Sequence, residues 1–188
     1  MILAYLRERF PLWFFGPLAL LLAAGALGVP NDGAGLALTA TAGLLLLAQF
    51  RIWDDIADRH ADAVAHPQRV LVRARNLAPV VVLGAGLLVI NVWIAIQRDA
   101  TFVSLLLLAA LHVALGGFYI LRRERTVLGD QLLLAKYPVF IGVLAGERLL
   151  ESPTQVALTA ALTYAAASAY EAWHDPVSPL AQFLGGRS

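Results

Sequence analysis

Residues 51–69, RIWDDIADRHADAVAHPQR, carry four aspartates between two apolar segments, and these are Asp54, Asp55, Asp58 and Asp62. If the stretch is helical, Asp54, Asp58 and Asp62 lie one turn apart on one face, with Asp55 beside them. Carboxylates this close repel one another unless a cation is shared between them. Mg²⁺ suits oxygen ligands, and it usually takes one or two carboxylates and completes its shell with water and substrate phosphate. The stretch therefore predicts a site for Mg²⁺ and a diphosphate.

A second acidic pair, Glu171 and Asp175, follows the last apolar segment in the sequence YEAWHD. The two residues are four apart, so they share a helical face. Two acidic clusters at one membrane surface would hold two Mg²⁺ ions, which would bridge a diphosphate and stabilise it as a leaving group. The alternative is a solvated acidic pair at a helix C-terminus, where the helix dipole disfavours negative charge.

Basic and aromatic residues complete the candidate site. Arg69, Arg73 and Lys136 are available to bind the diphosphate, and Arg51 lies beside the first acidic cluster. Three further arginines form a basic run that would serve the same purpose or simply reflect membrane orientation: Arg122, Arg123 and Arg125. Four aromatic residues lie near these charges in the predicted topology: Trp53, Tyr137, Phe140 and Tyr170. If their rings line a cavity, they would stabilise an allylic cation. Otherwise they are packing or membrane-interface residues.

The composition indicates a membrane protein. Of 188 residues, 60% are hydrophobic and 14% are charged, whereas soluble domains contain about 25% charged residues. The chain has no cysteine, which excludes disulfides and thiolate chemistry. Its net charge of +1 gives no indication of a nucleic-acid partner.

Six continuous apolar segments rich in Leu and Ala are visible, near residues 10–28, 34–53, 77–97, 101–121, 130–149 and 154–173. Each has about the 20 residues that a helix needs to cross a bilayer, and continuous rather than alternating hydrophobicity favours helices over strands. The first segment ends in AAGALG, which is similar to a signal-peptide cleavage region, but the five segments after it favour a retained helix. The prediction is a single all-α domain over 1–188, a polytopic membrane helix bundle of about six transmembrane helices.

The basic residues predict the orientation of this bundle. Twelve of the 14 Lys and Arg residues fall on one side of the predicted spans, and only Arg98 and Arg148 fall on the other. Positive charge accumulates on the cytoplasmic side of membrane proteins. Both termini and both acidic clusters are therefore expected in the cytoplasm, with the protein in a bacterial inner membrane. Within the helices, Asn91, His112 and Tyr164 are expected to make interhelical hydrogen bonds.

The acidic clusters resemble the motifs of a known family. Asp54-x-x-x-Asp58-x-x-x-Asp62 resembles the first aspartate-rich motif, N-x-x-x-D-x-x-x-D, of the UbiA superfamily of membrane prenyltransferases. Arg51 and Asp55 beside this motif, and HPQR at 66–69 after it, are similar to common forms of that stretch. Glu171-x-x-x-Asp175, preceded by Tyr170, resembles the second motif, D-x-x-x-D. The positions after the second and sixth helices also agree.

The resemblance implies an all-helical enzyme that binds a polyprenyl diphosphate through Mg²⁺ and transfers the prenyl group to an aromatic or other lipid-pathway acceptor within the membrane lipid. It implies that the metal ligands are Asp54, Asp55, Asp58, Asp62, Glu171 and Asp175. It implies that the substrate-binding residues are Arg51, Arg69, Arg73, Lys136, Tyr137 and Tyr170. Asp54 replaces the usual asparagine and Glu171 an aspartate, and both keep an oxygen ligand. The family has more membrane helices than this sequence, which favours a homo-oligomer, a more open cavity or loss of the activity.

Two alternatives remain. The chain fits a non-catalytic six-helix membrane protein that binds or transports a cation or lipid. A phosphatidyl-alcohol transferase would also have about six helices, but those enzymes are similar to one another in D-G-x-x-A-R. Here Asp32-Gly33 is followed by Ala-Gly-Leu-Ala on the predicted outer side, so this alternative ranks low.

Overall fold

The computed structural model describes residues 1–28, 32–121, 126–175 and 178–185, and within these ranges all regular secondary structure is helical. The helices in chain order are α1 (Ile2–Arg9), α2 (Leu12–Leu27), α3 (Gly33–Ala57), α4 (Arg59–Ala65), α5 (Val70–Arg73), α6 (Ala78–Arg98), α7 (Val103–Leu121), α8 (Val127–Leu134), α9 (Lys136–Ala145), α10 (Arg148–Glu151), α11 (Pro153–His174) and α12 (Pro179–Gly185).

The long helices follow the predicted apolar segments to within a few residues, with two differences. The first segment is α2, and it is preceded by the separate helix α1, which is bent from α2 by 67°. The fifth segment is divided into α8 and α9, with Ala135 between them. Pro11 lies just before α2 and lacks a backbone N–H, which suits it to the bend between the two helices.

Four stretches have the length and apolarity of membrane spans: Gly33–Ala57, Ala78–Arg98, Val103–Leu121 and Val127–Ala145. The bent pair α1 and α2 makes a fifth if it counts as one span. α11 is long enough at 22 residues, but it is rich in Ala, Thr and Tyr and is not among these candidates. The protein is therefore all-helical over its described residues, with several helices able to cross a membrane. The count of six spans and the orientation remain predictions.

The helices pack around α3 and α9. α3 lies against α2 and α6, and α9 lies against α2, α7 and α11. Their shared core includes Leu46, Phe50, Leu108, Leu115 and Phe140, all nearly inaccessible. This packing brings the C-terminal end of α3 beside the start of α9 and the end of α7.

A second, smaller cluster joins α1 to the rest of the bundle. Tyr5 on α1 packs with Ile52 on α3, Leu71 on α5, and Val80 and Leu87 on α6. Tyr5 and Val80 are completely buried. The cluster holds α1 and the segment after α4 against the same end of α3 that carries the acidic motif.

Asp32 has a structural role at the opposite end of α3. Its side chain accepts a hydrogen bond of 2.6 Å from the backbone N–H of Gly35 and so caps the helix. Asp, Ser and Asn are favoured at this position because they satisfy otherwise unpaired N–H groups. The Asp32-Gly33 dipeptide is thus explained as a helix start.

Close packing between α2 and α3 depends on Gly43. A Cβ atom at this position would lie 3.5 Å from the backbone oxygen of Ala19 and 3.5 Å from Leu144 Cδ1. We expect Gly43→Leu to reduce the free energy of unfolding by about 1–3 kcal/mol, because the added atoms would force the two helices apart. Thermal unfolding of the purified protein in detergent measures this change.

Gly86 on α6 provides the matched control, since a Cβ atom there meets no described atom within 4 Å. Gly86→Leu should unfold at or above the midpoint temperature of the unmodified protein. Equal destabilisation by the two substitutions would show that the α2–α3 contact is not specific.

Candidate functional site at the end of α3

Asp54, in the last turn of α3, forms a buried ion pair with Lys136 at the start of α9. The lysine Nζ donates to Asp54 Oδ2, and the hydroxyl of Tyr119 on α7 donates to Oδ1. Only 14% of the Asp54 side chain and 10% of the Lys136 side chain are exposed. Three helices therefore meet at one carboxylate, and both of its oxygens have a donor.

Such an arrangement is typical of functional sites in membrane proteins. Ionisable residues in membrane segments are costly and usually mark a functional pathway or site. A buried ion pair adds little net stability, because the loss of hydration offsets the attraction between the charges. Lys136 was predicted from the sequence to bind substrate, and it lies inside the bundle. The sequence did not indicate Tyr119, because a tyrosine near the end of an apolar helix is typical of a membrane-interface residue.

Aromatic rings line the interior next to the ion pair. Trp53 stacks on His112 with 5.3 Å between ring centroids, and it lies 5.7 Å from Tyr119. Phe50 lies 4.9 Å from His112 and 5.1 Å from Phe140. These packed rings, which we call the aromatic wall, therefore lie next to Asp54 and Lys136.

Tyr137, a predicted substrate-binding residue, belongs to the same wall. The Lys136 Nζ is 5.6 Å from the centroid of the Tyr137 ring, within the distance at which a cation interacts with a ring face. Tyr137 also makes an edge contact with Phe140 at 6.1 Å. The structure thus brings Tyr137 together with Asp54 and Lys136.

A hydrogen-bonded chain of polar side chains crosses the bundle farther in. Asn91 Nδ2 donates to Gln49 Oε1 at 2.7 Å, and Gln49 Nε2 lies 2.6 Å from His112 Nε2. His112 Nδ1 is 2.7 Å from the carbonyl oxygen of Leu108, which only accepts, so this geometry places the imidazole proton on Nδ1. The interhelical bonds expected for Asn91 and His112 are present, as is the one for Tyr164, whose hydroxyl donates to Gln131 Oε1.

Asp55 points in a different direction from Asp54. Its carboxylate accepts from Arg9 Nη2 at 2.6 Å and from the Tyr5 hydroxyl at 2.9 Å, and Arg51 Nε lies 3.3 Å away. Asp55 is 4% exposed. Asp55 therefore holds α1 against α3, a role that accounts for it without a metal, and Arg51 contacts its carboxylate from the same helix.

The one-turn spacing of the aspartates persists beyond the end of α3. Asp58 N–H donates to the Asp54 carbonyl at 2.8 Å, and Asp62 N–H donates to the Asp58 carbonyl at 2.9 Å. The helix itself is interrupted at Asp58, between α3 and α4. Asp62 forms an ion pair with Arg69, so a predicted metal ligand and a predicted phosphate-binding residue already contact each other.

The loop that carries Arg69 and Arg73 is held by Arg59. The Arg59 guanidinium donates to the carbonyl oxygens of Leu71, Val72 and Ala74 at 3.0–3.3 Å. Arg73 lines an open cleft with Met1, Gln68, Val70 and Ala74 beside the start of α1. No contact joins Arg73 to Lys136 among the described residues.

The second acidic cluster lies at the end of α11. Asp175 follows the helix, and its N–H donates to the Glu171 carbonyl at 2.9 Å. Tyr170 is 43% exposed, stacks on His174 at 5.1 Å and lies 6.2 Å from Phe14 on α2. The basic residues Arg122, Arg123 and Arg125 lie outside the described residues.

Within the described part of the chain, no three His, Asp or Glu side chains are grouped so as to hold a metal ion. Mg²⁺ needs fewer protein ligands when a phosphate supplies the others. Both oxygens of the Asp54 carboxylate already have a donor, so Asp54 would bind a metal only by exchanging one of them. Asp55 is the least suited to bind a metal, since two guanidinium groups and a phenol occupy its oxygens. The six-residue ligand set stays a prediction.

No family model matches the chain, and no curated protein or solved structure is significantly similar to it. The resemblance to the prenyltransferase motifs therefore stands on the residues named above.

The buried cluster around Asp55 gives a stability prediction. Asp55→Ala leaves Arg9 and Arg51 without their carboxylate, and we expect the free energy of unfolding to fall by about 3–5 kcal/mol, as when one partner of a buried ion pair is removed. Denaturant titration in mixed detergent micelles measures this change. Arg7→Gln on the exposed side of α1 is the control and should change the midpoint little. A loss no larger than that of Arg7→Gln would contradict the assigned role of Asp55.

Proposed function

We propose that this protein is a membrane prenyltransferase that uses Mg²⁺, binds a polyprenyl diphosphate at the Asp54 end of the bundle and transfers the prenyl group to a small acceptor. The observation that carries the proposal is the Asp54–Lys136 ion pair, held by Tyr119, beside an aromatic interior. A charged end supplies contacts for a diphosphate, and an apolar interior supplies contacts for an isoprenoid chain.

The proposal includes six spans, with both termini and the site on the cytoplasmic side of a bacterial inner membrane. The asymmetry of the basic residues supports it. A cytoplasmic site has direct access to a diphosphate substrate, whose charge opposes entry through the bilayer. A homo-oligomer would cover the largely exposed α11, on which Val156 is the one residue that is buried.

Lys136 and Asp54 would exchange partners when substrate binds. Before binding, the lysine ammonium neutralises the Asp54 carboxylate. A diphosphate offers the ammonium a stronger anionic partner, and the released Asp54 carboxylate becomes available to Mg²⁺. Tyr119 continues to hold the other carboxylate oxygen. The exchange keeps every buried charge paired, which removes the energetic penalty for separating the ion pair.

The remaining charged residues of the candidate site would also change partners when substrate binds. Asp62 holds Arg69 until the arginine binds phosphate, and Arg73 extends the basic surface. The metal ligands besides Asp54 would be Asp58, Asp62, Glu171 and Asp175. When bound, Mg²⁺ would neutralise the diphosphate and so improve it as a leaving group.

The aromatic wall would bind the prenyl chain and stabilise positive charge at its first carbon. The bond between that carbon and the diphosphate oxygen breaks, the electron pair leaves with the diphosphate, and a nucleophilic atom of the acceptor forms the new bond and loses its proton to water. The partly buried rings of Trp53 and Tyr137 would face the cationic carbon, with the fully buried Phe140 packed behind Tyr137. Tyr170, on α11, would contact the substrate near the second acidic pair.

A non-catalytic protein that binds an anionic lipid or a cation is the second candidate. It is favoured by one observation: Asp54, Asp55 and Asp62 each have a basic partner within the chain. Such paired charges would bind and release a ligand by exchange, with no bond broken. This candidate predicts binding without release of diphosphate.

Turnover of labelled prenyl diphosphates tests the proposal. Purified protein in detergent is incubated with Mg²⁺, a lipid-extract acceptor pool and radiolabelled geranyl, farnesyl or longer prenyl diphosphates. We expect diphosphate release that disappears with EDTA and in Asp58→Asn.

Lys136→Met should lower kcat/KM in the same assay by about 10²-fold or more, the usual effect of removing one positioned donor. Glu151→Gln, an exposed carboxylate on α10, should leave turnover unchanged. Turnover by Asp58→Asn at the normal rate would rule out the assigned site, and binding without release would favour the second candidate.

The proposed exchange of partners also predicts a change in ligand affinity for Asp54→Asn. This substitution removes the anion that competes with phosphate for Lys136, so in EDTA the variant should bind a prenyl diphosphate roughly tenfold more tightly than the unmodified protein, an effect of about 1.4 kcal/mol. Added Mg²⁺ should then improve its affinity less than that of the unmodified protein. Equilibrium binding with labelled ligand measures both effects, and Glu151→Gln is again the control. Weaker binding of the folded variant in EDTA would exclude the exchange.

A further inference from the structure

A separate cleft lies at the opposite end of the bundle from Asp54. It is formed by α3, α6, the start of α7 and the end of α9; its polar residues are Asn91, Arg98 and Ser104, and its apolar wall includes Ala42, Leu46 and Leu144. Thr39, which contacts Arg98, precedes Asp54 on α3 by 15 residues, or about 22 Å along a helix. The cleft is therefore distinct from the candidate site described above.

Arg98 has hydrogen-bonding capacity that the fold does not use. A guanidinium group has five N–H donors and no acceptor. Arg98 Nη2 donates to Thr39 Oγ1 at 2.8 Å, and within the described residues no carboxylate forms an ion pair with it. Thr39 is 1% exposed, so the bond fixes one side of the guanidinium to α3, and the other donors of the exposed Arg98 remain available beside the cleft.

Arg148 lies at the same end of the bundle and has a structural role that can be compared with that of Arg98. Its Nη1 donates to the carbonyl oxygen of Ala26 at 2.6 Å, and its Nη2 donates to Gln155 Oε1 at 2.5 Å. Arg148 thus satisfies the end of α2. Arg98 and Arg148 are the two basic residues on the predicted outer side, and Arg98 makes one side-chain bond to Thr39 where Arg148 satisfies a helix end.

The acidic groups near the cleft are already engaged. Asp99 accepts from the backbone N–H groups of Ser104 at 2.6 Å and Thr101 at 2.9 Å. Glu147 accepts from the N–H of Ala100 at 3.0 Å. Both carboxylates stabilise the turn between α6 and α7, and neither contacts the guanidinium of Arg98.

We propose that this cleft binds an anionic head group, a carboxylate or a phosphate, through Arg98. Its cavity volume of about 50 Å³ has room for about three to five water-sized groups, which matches the head group alone. Asn91, 4% exposed, lies at the apolar end of the cleft, fixed by its bond to Gln49. The rest of the ligand extends along the partly exposed Ile94 if it is a lipid, and into water if it is a soluble anion. The proposal does not depend on prenyl transfer.

Native mass spectrometry of the intact protein tests this site with phosphatidylglycerol and phosphatidylcholine as probes. We expect one phosphatidylglycerol per chain to be retained at least tenfold more strongly than phosphatidylcholine. Arg98→Gln should lose this preference, Arg98→Lys should keep part of it, and Arg7→Gln, which removes the same charge from α1, should keep all of it. Thermal unfolding of each variant verifies that it is folded.

Inorganic phosphate and acetate distinguish the two sources of the head group. Displacement of phosphatidylglycerol by millimolar phosphate or acetate, abolished in Arg98→Gln, supports a site for soluble anions. Retention that resists both anions, yet still requires Arg98, supports a lipid site. The proposal is overturned if folded Arg98→Gln binds all probes as the unmodified protein does, or if Arg7→Gln reduces retention equally.

Discussion

The charge of Asp54 is the constraint on which the rest of this structure depends. A carboxylate at the end of a membrane-length helix must find a cation or remain uncharged. The ammonium group of Lys136 and the hydroxyl of Tyr119 meet that requirement from two other helices. The relative positions of α3, α7 and α9 are therefore linked to one ion pair, and the aromatic wall fills the space that these helices enclose. A ligand that changes the partner of either charge acts on all three helices.

Neighbouring acids have separate roles because a helix turns by about 100° per residue. Asp54 faces α7 and α9, whereas Asp55 faces α1 and binds Arg9 and Tyr5. The Asp54 carboxylate thereby lies at the candidate site. The Asp55 carboxylate attaches α1 beside that site. Arg59 then fixes the following loop through three backbone carbonyls. Much of the charge in residues 51–75 builds the surroundings of the site.

The two ends of the bundle differ in how they use basic residues. At the Asp54 end, Lys136, Arg9 and Arg69 are each paired with an aspartate, so each would have to change partner to bind an anionic ligand. At the other end, Arg98 is held by a neutral threonine and has spare donors. The chain from Asn91 through Gln49 to His112 lies between the two ends and fixes α3 against α6 and α7. This polar chain therefore connects the three helices between the two ends of the bundle.

The sequence by itself determined the helical class, the positions of the long helices and the one-turn spacing of Asp54, Asp58 and Asp62, because hydrophobic runs and backbone periodicity are local properties. It also predicted Lys136 as a residue available to bind a diphosphate, and the structure places Lys136 against Asp54. It did not indicate that α1 would form a separate helix, that Asp55 would bind Arg9 across 46 residues, or that Tyr119 would complete the Asp54 pair. Only the tertiary structure decided these, because a carboxylate's partner depends on which helices pack together, and that depends on contacts between residues far apart in the chain.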